Sequence, residues 1–174
     1  MLILIRILIF TSIITFHNLL YAETNVVFLD MNKIYNESIA GKFIFSELEK
    51  INKKNISNFK KNEEKLKKEE QEIFSQKNIL SKEEYDKKVL FFKEKVEKYK
   101  NERNKSIEEL KDKRIKAINE LSNSVNKILA EYSNEREISF VVPKKNIIIG
   151  KSELDITNDI MIILDKNIKK ININ

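Results

Sequence analysis

The chain has 174 residues, with 33 basic and 27 acidic side chains, one His, one Pro, two Gly and no Cys. This length suits one modest domain or a small core with an extended arm. So few Gly and Pro residues leave too few favoured turns for a β-sandwich or a doubly wound sheet. Without Cys there is no disulfide, thiolate nucleophile or cysteine zinc site. The sole His, His17, lies in the N-terminal apolar segment. If that segment is removed, the remaining chain has no imidazole for acid–base chemistry or metal binding. We therefore predict that the protein is not an enzyme and has no cofactor or metal site.

Residues 1–22 have the layout of a secretory signal peptide. Arg6 precedes an apolar run over residues 7–16, and Ala22 provides a small residue at the cleavage site. Polar residues interrupt the segment, whereas a membrane span needs about 20 predominantly apolar residues. We predict cleavage after Ala22 and export of the remaining chain; the alternative is an uncleaved anchor helix.

A long helical hairpin is predicted between residues 42 and 132, because Gly41 is followed by no Gly or Pro until Pro143. Ser81 and Glu84 have the spacing of a capping box, so we place the hairpin tip at about 76–81. The alternative is one unbroken helix from about 40 to 132. The first arm carries one apolar residue per heptad, at Phe59, Leu66, Ile73 and Leu80. The second arm carries a coiled-coil-like stripe, which comprises Tyr85, Val89, Phe92, Val96, Tyr99, Ile107, Leu110, Ile118, Leu121, Val125, Ile128 and Tyr132 and is interrupted by Arg103 and Arg114.

The two ends of the chain have a different character from this arm. Residues 25–30 and 137–142 are β-branched and aromatic, and both predict strands; residues 147–150 predict a further short strand, and residues 154–170 a closing helix. The predicted fold is therefore α+β and mostly α. A small β body with a C-terminal helix is built from residues 23–41 and 133–174, and the arm of residues 42–132 is inserted into it.

The positive charge lies in the arm, where residues 42–132 contain 24 basic and 18 acidic side chains. Carboxylates are interleaved with the lysines, and this pattern is typical of a solvated helix face. An exported protein would also have no access to cellular DNA, so we predict no nucleic-acid partner. A mild positive field would instead attract acidic chains or an anionic lipid surface.

The two ends of the chain resemble the Skp/OmpH family of periplasmic chaperones. At the first end the resemblance rests on VVFLDMNKIYNES at residues 26–38, followed by Gly41. At the other end it rests on ISFVVPKKNIIIG at residues 138–150, followed by LDITNDIMIILDK at residues 154–166. The order and spacing of these segments match the family, and the arm matches it in length and character.

This resemblance implies a jellyfish-like homotrimer whose strands form a shared barrel and whose arms surround a cavity. In the periplasm, that cavity would hold unfolded outer-membrane proteins without ATP and prevent their aggregation. The arm residues predicted to contact such clients are Phe59, Leu66, Ile73, Phe74, Lys60, Lys61, Lys67 and Lys68. The residues predicted to form the oligomer are Val26, Val27, Phe28, Leu29, Ile138, Phe140 and Val142. The alternative function is a membrane-anchored coiled-coil stalk or tether.

Overall fold

The structure is a computed structural model that describes residues 24–173. The predicted signal peptide and its cleavage site at Ala22 lie outside the described residues. In chain order the elements are β1 (Val26–Leu29), α1 (Met31–Glu37), α2 (Ile39–Ser75), α3 (Lys82–Glu135), β2 (Phe140–Pro143) and α4 (Thr157–Asn167), with 3-10 turns at Lys144–Asn146 and Ser152–Leu154. None of the helices in this part of the chain is long and apolar enough to cross a membrane.

The body contains one parallel strand pair, in which Val26 of β1 lies beside Phe140 of β2. Parallel strands need a long crossover, and here the crossover includes the whole helical hairpin. Val27 and Leu29 belong to the core, together with Ile160 and Leu164 of α4. The predicted α+β fold, with a helical hairpin inserted into a small β body and a closing helix, is confirmed.

Helix α1 occupies residues for which the sequence predicted no element. The Asp30 carboxylate caps it by accepting a hydrogen bond from the Lys33 N–H at 3.0 Å. Ser38 ends α1 and caps α2 by accepting from the Gly41 N–H at 3.0 Å. A Cβ on Gly41 would lie 2.0 Å from the Tyr35 carbonyl oxygen. Only glycine therefore allows α1 and α2 to meet this closely.

Helices α2 and α3 form the hairpin, with 37 and 54 residues respectively. At 1.5 Å per residue they are about 55 Å and 80 Å long. The chain reverses at residues 76–80, so it does not form one unbroken helix. The predicted capping box is confirmed, since Ser81 Oγ accepts from the Glu84 N–H while the Glu84 carboxylate accepts from the Ser81 N–H.

Complete burial is confined to the body and the adjacent base of the hairpin. In the hairpin base the buried core residues are Ala40, Ile44, Leu48, Ala117, Leu121, Val125, Ile128 and Tyr132. Within the described chain, no residue from 49 to 116 is buried. The apolar packing of the outer hairpin is thus limited to a half-buried stripe.

Two positions of the predicted α3 stripe are corrected. Ala117 is completely buried where the sequence predicted Ile118, which is only partly buried, and Ile107 is 50% exposed. With 3.6 residues per turn, the face that meets α2 drifts around α3 along its length. Ala117 completes the spacing of four residues to Leu121, and its small side chain allows the two helices to approach closely.

The elements after residue 133 also differ in extent from the prediction. Strand β2 begins at Phe140 rather than at 137, and α4 covers 157–167 rather than 154–170. Residues 147–150 form no strand, because no strand edge within the described chain pairs with them. Ile148 and Ile149 in this segment are 98% and 91% exposed.

Candidate functional site

The outer halves of α2 and α3 are joined by side chains that cross the hairpin. Tyr99 Oη donates to Glu63 Oε1 at 2.6 Å, and Arg103 Nη1 lies 3.4 Å from the same oxygen. The Arg103 guanidinium also lies 5.7 Å from the centre of the Phe59 ring. Burial raises the pKa of Tyr99, and the hydrogen bond to Glu63 raises it further. Arg103 therefore interrupts the apolar stripe of α3 but still connects the two helices.

Arg114 has a corresponding position nearer the body, since its guanidinium lies 5.8 Å from the centre of the Phe45 ring. Two further polar contacts cross the hairpin towards its tip. Lys95 Nζ lies 2.5 Å from Glu69 Oε1, and Lys88 Nζ donates to Gln76 Oε1 at 2.6 Å. These contacts are solvent-accessible, so each adds only about 0–1 kcal/mol to stability.

One face of the outer hairpin forms a groove of about 840 Å³ between α2 and α3. From Tyr85 to Arg103 the groove follows α3 for about 27 Å. Its apolar lining comprises Leu66, Ile73, Phe74, Tyr85, Val89, Phe92, Val96 and Tyr99, and its charged rim comprises Glu63, Lys67, Glu70, Lys93, Glu97, Lys100 and Arg103. A groove with an apolar floor and a rim of both charges can accept a segment that carries apolar and polar side chains.

The structure brings together only some of the predicted client-contact residues. Leu66, Ile73, Phe74 and Lys67 line the groove, and Phe59 lies beneath Arg103. Phe59, Leu66 and Ile73 are half-buried in the hairpin seam, whereas Phe74 is 71% exposed. The remaining predicted residues, Lys60, Lys61 and Lys68, are exposed but do not line the groove.

The α3 side of the groove was not predicted as a client-contact surface. Tyr85, Val89, Phe92 and Val96 were predicted as members of the coiled-coil-like stripe of α3. The adjacent Phe91 and Phe92 are the signal that could have located it. Neighbouring residues on a helix point about 100° apart, so Phe92 lines the groove while Phe91 lies on another face, with Lys95 Nζ 4.7 Å from its ring centre.

The tip of the hairpin carries large apolar side chains with little cover. Ile79 is 80% exposed, and Leu90 and Phe91 are each more than half exposed, as is Phe74 at the end of α2. Exposed lysines lie among them at 77, 82, 87 and 88. Large exposed apolar groups concentrated at one end of the arm are candidates for contact with a partner.

The body has a separate exposed apolar patch, which we call the body patch: Val26, Phe140, Ile148 and Ile149. Phe140 is 63% exposed beside Val26 in the strand pair. The segment that carries the two isoleucines ends at Gly150, which lies against the Phe28 ring. The other predicted oligomer residues already pack within the chain, since Val27, Phe28 and Leu29 are buried and Ile138 and Val142 partly buried.

Comparisons with known proteins agree with this architecture. The sequence model of the family described as outer membrane protein (OmpH-like) matches residues 25–164. No curated protein matches the chain. Among solved structures, an OmpH-like outer membrane chaperone from Caulobacter crescentus CB15 superposes with a TM-score of 0.80 at 15% identity, covering 85% of this chain and 88% of that one. At that identity the structural match shows the fold, and the family match spans most of the sequence. The protein therefore belongs to the OmpH-like family of outer membrane proteins.

Proposed function

We propose that the protein is a periplasmic, ATP-independent holding chaperone for unfolded outer-membrane proteins, acting as a homotrimer whose arms surround the client. The single observation that carries this proposal is the state of the arm. Residues 49–116 include no buried residue within the described chain, yet their large apolar side chains are arranged as a groove and an exposed tip. Exposing Phe74 and Ile79 to water does not stabilise the arm, so we expect these side chains to bind a partner.

Such a surface is suited to binding unfolded client chains without a chemical reaction. Each apolar contact contributes at most about 1.5–3 kcal/mol when fully buried, so a client is retained by several contacts that exchange. Client segments that alternate apolar and polar residues, as transmembrane β-strands do, would place apolar side chains in the groove and polar ones at its charged rim. Lysines of the arm would increase the capture rate of acidic segments through long-range attraction.

The holding activity is tested by light scattering of a urea-denatured outer-membrane protein diluted into buffer with and without the chaperone. We expect suppression of aggregation without ATP. Replacing the tip residues Phe74, Ile79, Leu90 and Phe91 together by Ser should shorten the lifetime of the complex in competition release. A matched control replaces the neutral residues Asn58, Asn62, Asn101 and Asn104, all exposed and outside the tip, by Ser and should leave this lifetime unchanged. Unimpaired holding by the tip variant would refute the role of the tip.

A second variant tests the contribution of charge to capture. Reversing Lys60, Lys61, Lys67 and Lys68 to Glu should slow capture in stopped flow and leave release nearly unchanged, because attraction acts before contact forms. Added salt should have the same effect on the wild-type protein, since the Debye length falls to about 10 Å at 0.1 M. Faster release with unchanged capture would contradict this division of roles.

Trimer assembly is assigned in this proposal to the body patch and the strand pair beside it. Phe140→Asp would place a charge in the proposed interface, whereas in the single chain the same side chain is exposed and its replacement is tolerated. We expect dissociation to folded monomers in sedimentation analysis. Ile162→Asp, at an exposed isoleucine of α4, is the control that should remain trimeric. A trimeric Phe140→Asp variant would exclude this interface.

An anionic lipid surface is proposed as a further partner of the tip, where lysines surround exposed apolar residues. Flotation with anionic vesicles, compared with neutral vesicles of the same size, tests this point. The stalk function remains the alternative, and it requires retention of residues 1–22. The intact mass of the protein purified from its native host decides between the two, since cleavage after Ala22 leaves no anchor.

A further inference from the structure

The family match ends at residue 164, but the chain continues in ordered contact with the hairpin. We call residues 168–173 the brace segment. Ile171 is buried in the core, and Ile168 and Ile173 pack partly buried against it. These contacts fix the position of the brace segment against the core.

The contacts of this region reach both helices of the hairpin. In α4, just before the brace segment, the Asp165 carboxylate accepts from the Ile39 N–H at the start of α2 at 2.7 Å. Lys170 Nζ lies 5.8 Å from the centre of the Phe43 ring on the same helix. On α3, Lys113 Nζ donates to the Ile173 carbonyl oxygen at 3.1 Å. The brace segment is therefore a third element packed at the hairpin base.

On α3, the contact with the brace segment lies next to the limit of complete burial. Lys113 lies one turn before Ala117, the last fully buried residue of α3 towards the tip. Phe43 precedes the fully buried Ile44 of α2. From Tyr132, where α3 meets α4 through a 2.6 Å hydrogen bond to Asp159, the helix extends about 75 Å to the tip, but from Lys113 it extends only about 46 Å.

We propose that the brace segment is a positioning element that fixes the direction in which the arm leaves the body and moves its pivot outward to about Lys113. The arm is a long lever, so small rotations at the base become large displacements at the tip. A third element in contact with both helices resists such rotation better than the α2–α3 seam alone. The proposal concerns the free protein and holds whether or not the arm binds clients.

Hydrogen exchange on full-length variants provides the test. Ile171→Ser with Ile173→Ser removes the apolar anchors, while Lys113→Met removes one donor and keeps the aliphatic stem. We expect amides of residues 43–50 and 107–116 to exchange about tenfold faster in the double variant and about two- to threefold faster in Lys113→Met, as local opening becomes easier. Amides of residues 121–132 should not change. Lys111→Met, in which an exposed lysine paired with Glu108 is replaced, should behave as wild type.

Arm direction is measured separately with spin labels. The chain has no Cys, so labels at Lys98→Cys and Lys145→Cys report one distance once labelled chains are diluted with unlabelled ones. The double variant should broaden this distance distribution, and Lys111→Met should not. Unchanged exchange at residues 43–50 and 107–116 together with an unchanged distribution would overturn the proposal. Equal acceleration at residues 121–132 would also overturn it, because the segment would then be part of the general core.

Discussion

The base and the outer half of the hairpin are built from the same two helices but are stabilised in different ways. At the base, Ile44, Leu121 and Val125 are completely removed from water. In the outer half, Leu66 and Val96 remain partly exposed and are supplemented by Glu63 and its two partners. Apolar burial contributes in proportion to the area removed from water, so the base carries most of the stability.

This contrast shows how one helical hairpin can be both anchored and adaptable. A fully packed outer seam would leave no apolar surface for a partner, whereas an unpacked one would not remain a hairpin. Half-burial with solvent-accessible polar links satisfies both needs. The low-stability end of a structure is also where local opening occurs, and here that end is the proposed client surface.

The largest expected effect comes from a matched pair of leucine truncations. Leu121→Ala removes a completely buried side chain and should lower the free energy of unfolding by about 2–5 kcal/mol. Leu66→Ala removes a partly buried one and should cost only about 1 kcal/mol, because less area leaves water. Urea denaturation followed by circular dichroism measures both. Equal losses at the two positions would show that the outer seam is as well packed as the base.

Gly41→Ala tests the contact that orients α1 against the base. The added Cβ would lie 2.0 Å from the Tyr35 carbonyl oxygen, and this backbone atom cannot move without displacing α1. We expect a loss of about 1–3 kcal/mol, as is typical of overpacking, although alanine is the better helix former. Lys42→Ala at the neighbouring exposed position should change stability by less than about 0.5 kcal/mol. A stabilised Gly41→Ala protein would mean that α1 does not approach α2 this closely.

The features that the sequence predicted well are those that local chemistry determines. The strand at 26–29 has β-branched and aromatic residues, and the capping box at Ser81 needs only four consecutive residues. Likewise, the 93 residues from 42 to 134 contain no Gly or Pro and leave few options besides helix. These signals lie within a few residues of the element that they specify, so one sequence is enough to detect them.

The features that it missed depend on contacts between distant residues. Helix α1 is only seven residues long, and its packing depends on Gly41 and on the cap residues at both ends. Residues 147–150 have strand composition but no partner strand among residues 24–173. Arg103 lies over Phe59 only because of the register between α2 and α3. The groove depends on the same register, so its α3 lining was not identified.

A moderate loss of stability is expected when Asp155 in the body is replaced, because its side chain links three segments. Its carboxylate accepts from the Thr157 N–H at 3.0 Å and from Lys144 Nζ at 2.7 Å, and Thr157 Oγ1 accepts from the Asp30 N–H. Burial opposes ionisation, but the hydrogen bonds from Lys144 and Thr157 outweigh it and lower the pKa of Asp155 below its usual 3.8. This contribution is therefore present above pH 3.8 and is lost as the pH falls through the folded-state pKa.

Asp155→Asn should accordingly lower the free energy of unfolding by about 1–2 kcal/mol at pH 7. The difference in this free energy between the variant and the wild type should narrow below pH 3.8. Urea denaturation at a series of pH values measures this difference. Glu153→Gln, which breaks an exposed pair with Lys151, is the matched control and should have almost no effect at any pH. A constant difference across the series would show that charge at Asp155 is not what stabilises the linkage.

The smallest effect is expected from the link at Glu63 in the outer arm. Glu63→Gln retains an acceptor for Tyr99 Oη but removes the ion pair with Arg103. The side chains of Glu63 and Arg103 are each 50% exposed. The expected loss is below about 1 kcal/mol, which global unfolding would barely resolve. The pKa of Tyr99 is a more sensitive measure. It is raised above 10.0 by burial first and by Glu63 second, so the variant should move it back towards 10.0 without reaching it.

Carbon-13 labelling of tyrosine allows NMR to follow each ring separately through an alkaline titration. Glu69→Gln removes the neighbouring cross-hairpin pair with Lys95 and should leave the titration of Tyr99 unchanged. Tyr132 at the base also has a raised pKa, from burial and then from Asp159, and should titrate identically in both variants. If Tyr99 in Glu63→Gln titrated as in wild type, burial alone would set its pKa. Apolar packing would then hold the two helices together in the outer arm, as it does at the base. The two regions would differ only in how much apolar surface they bury.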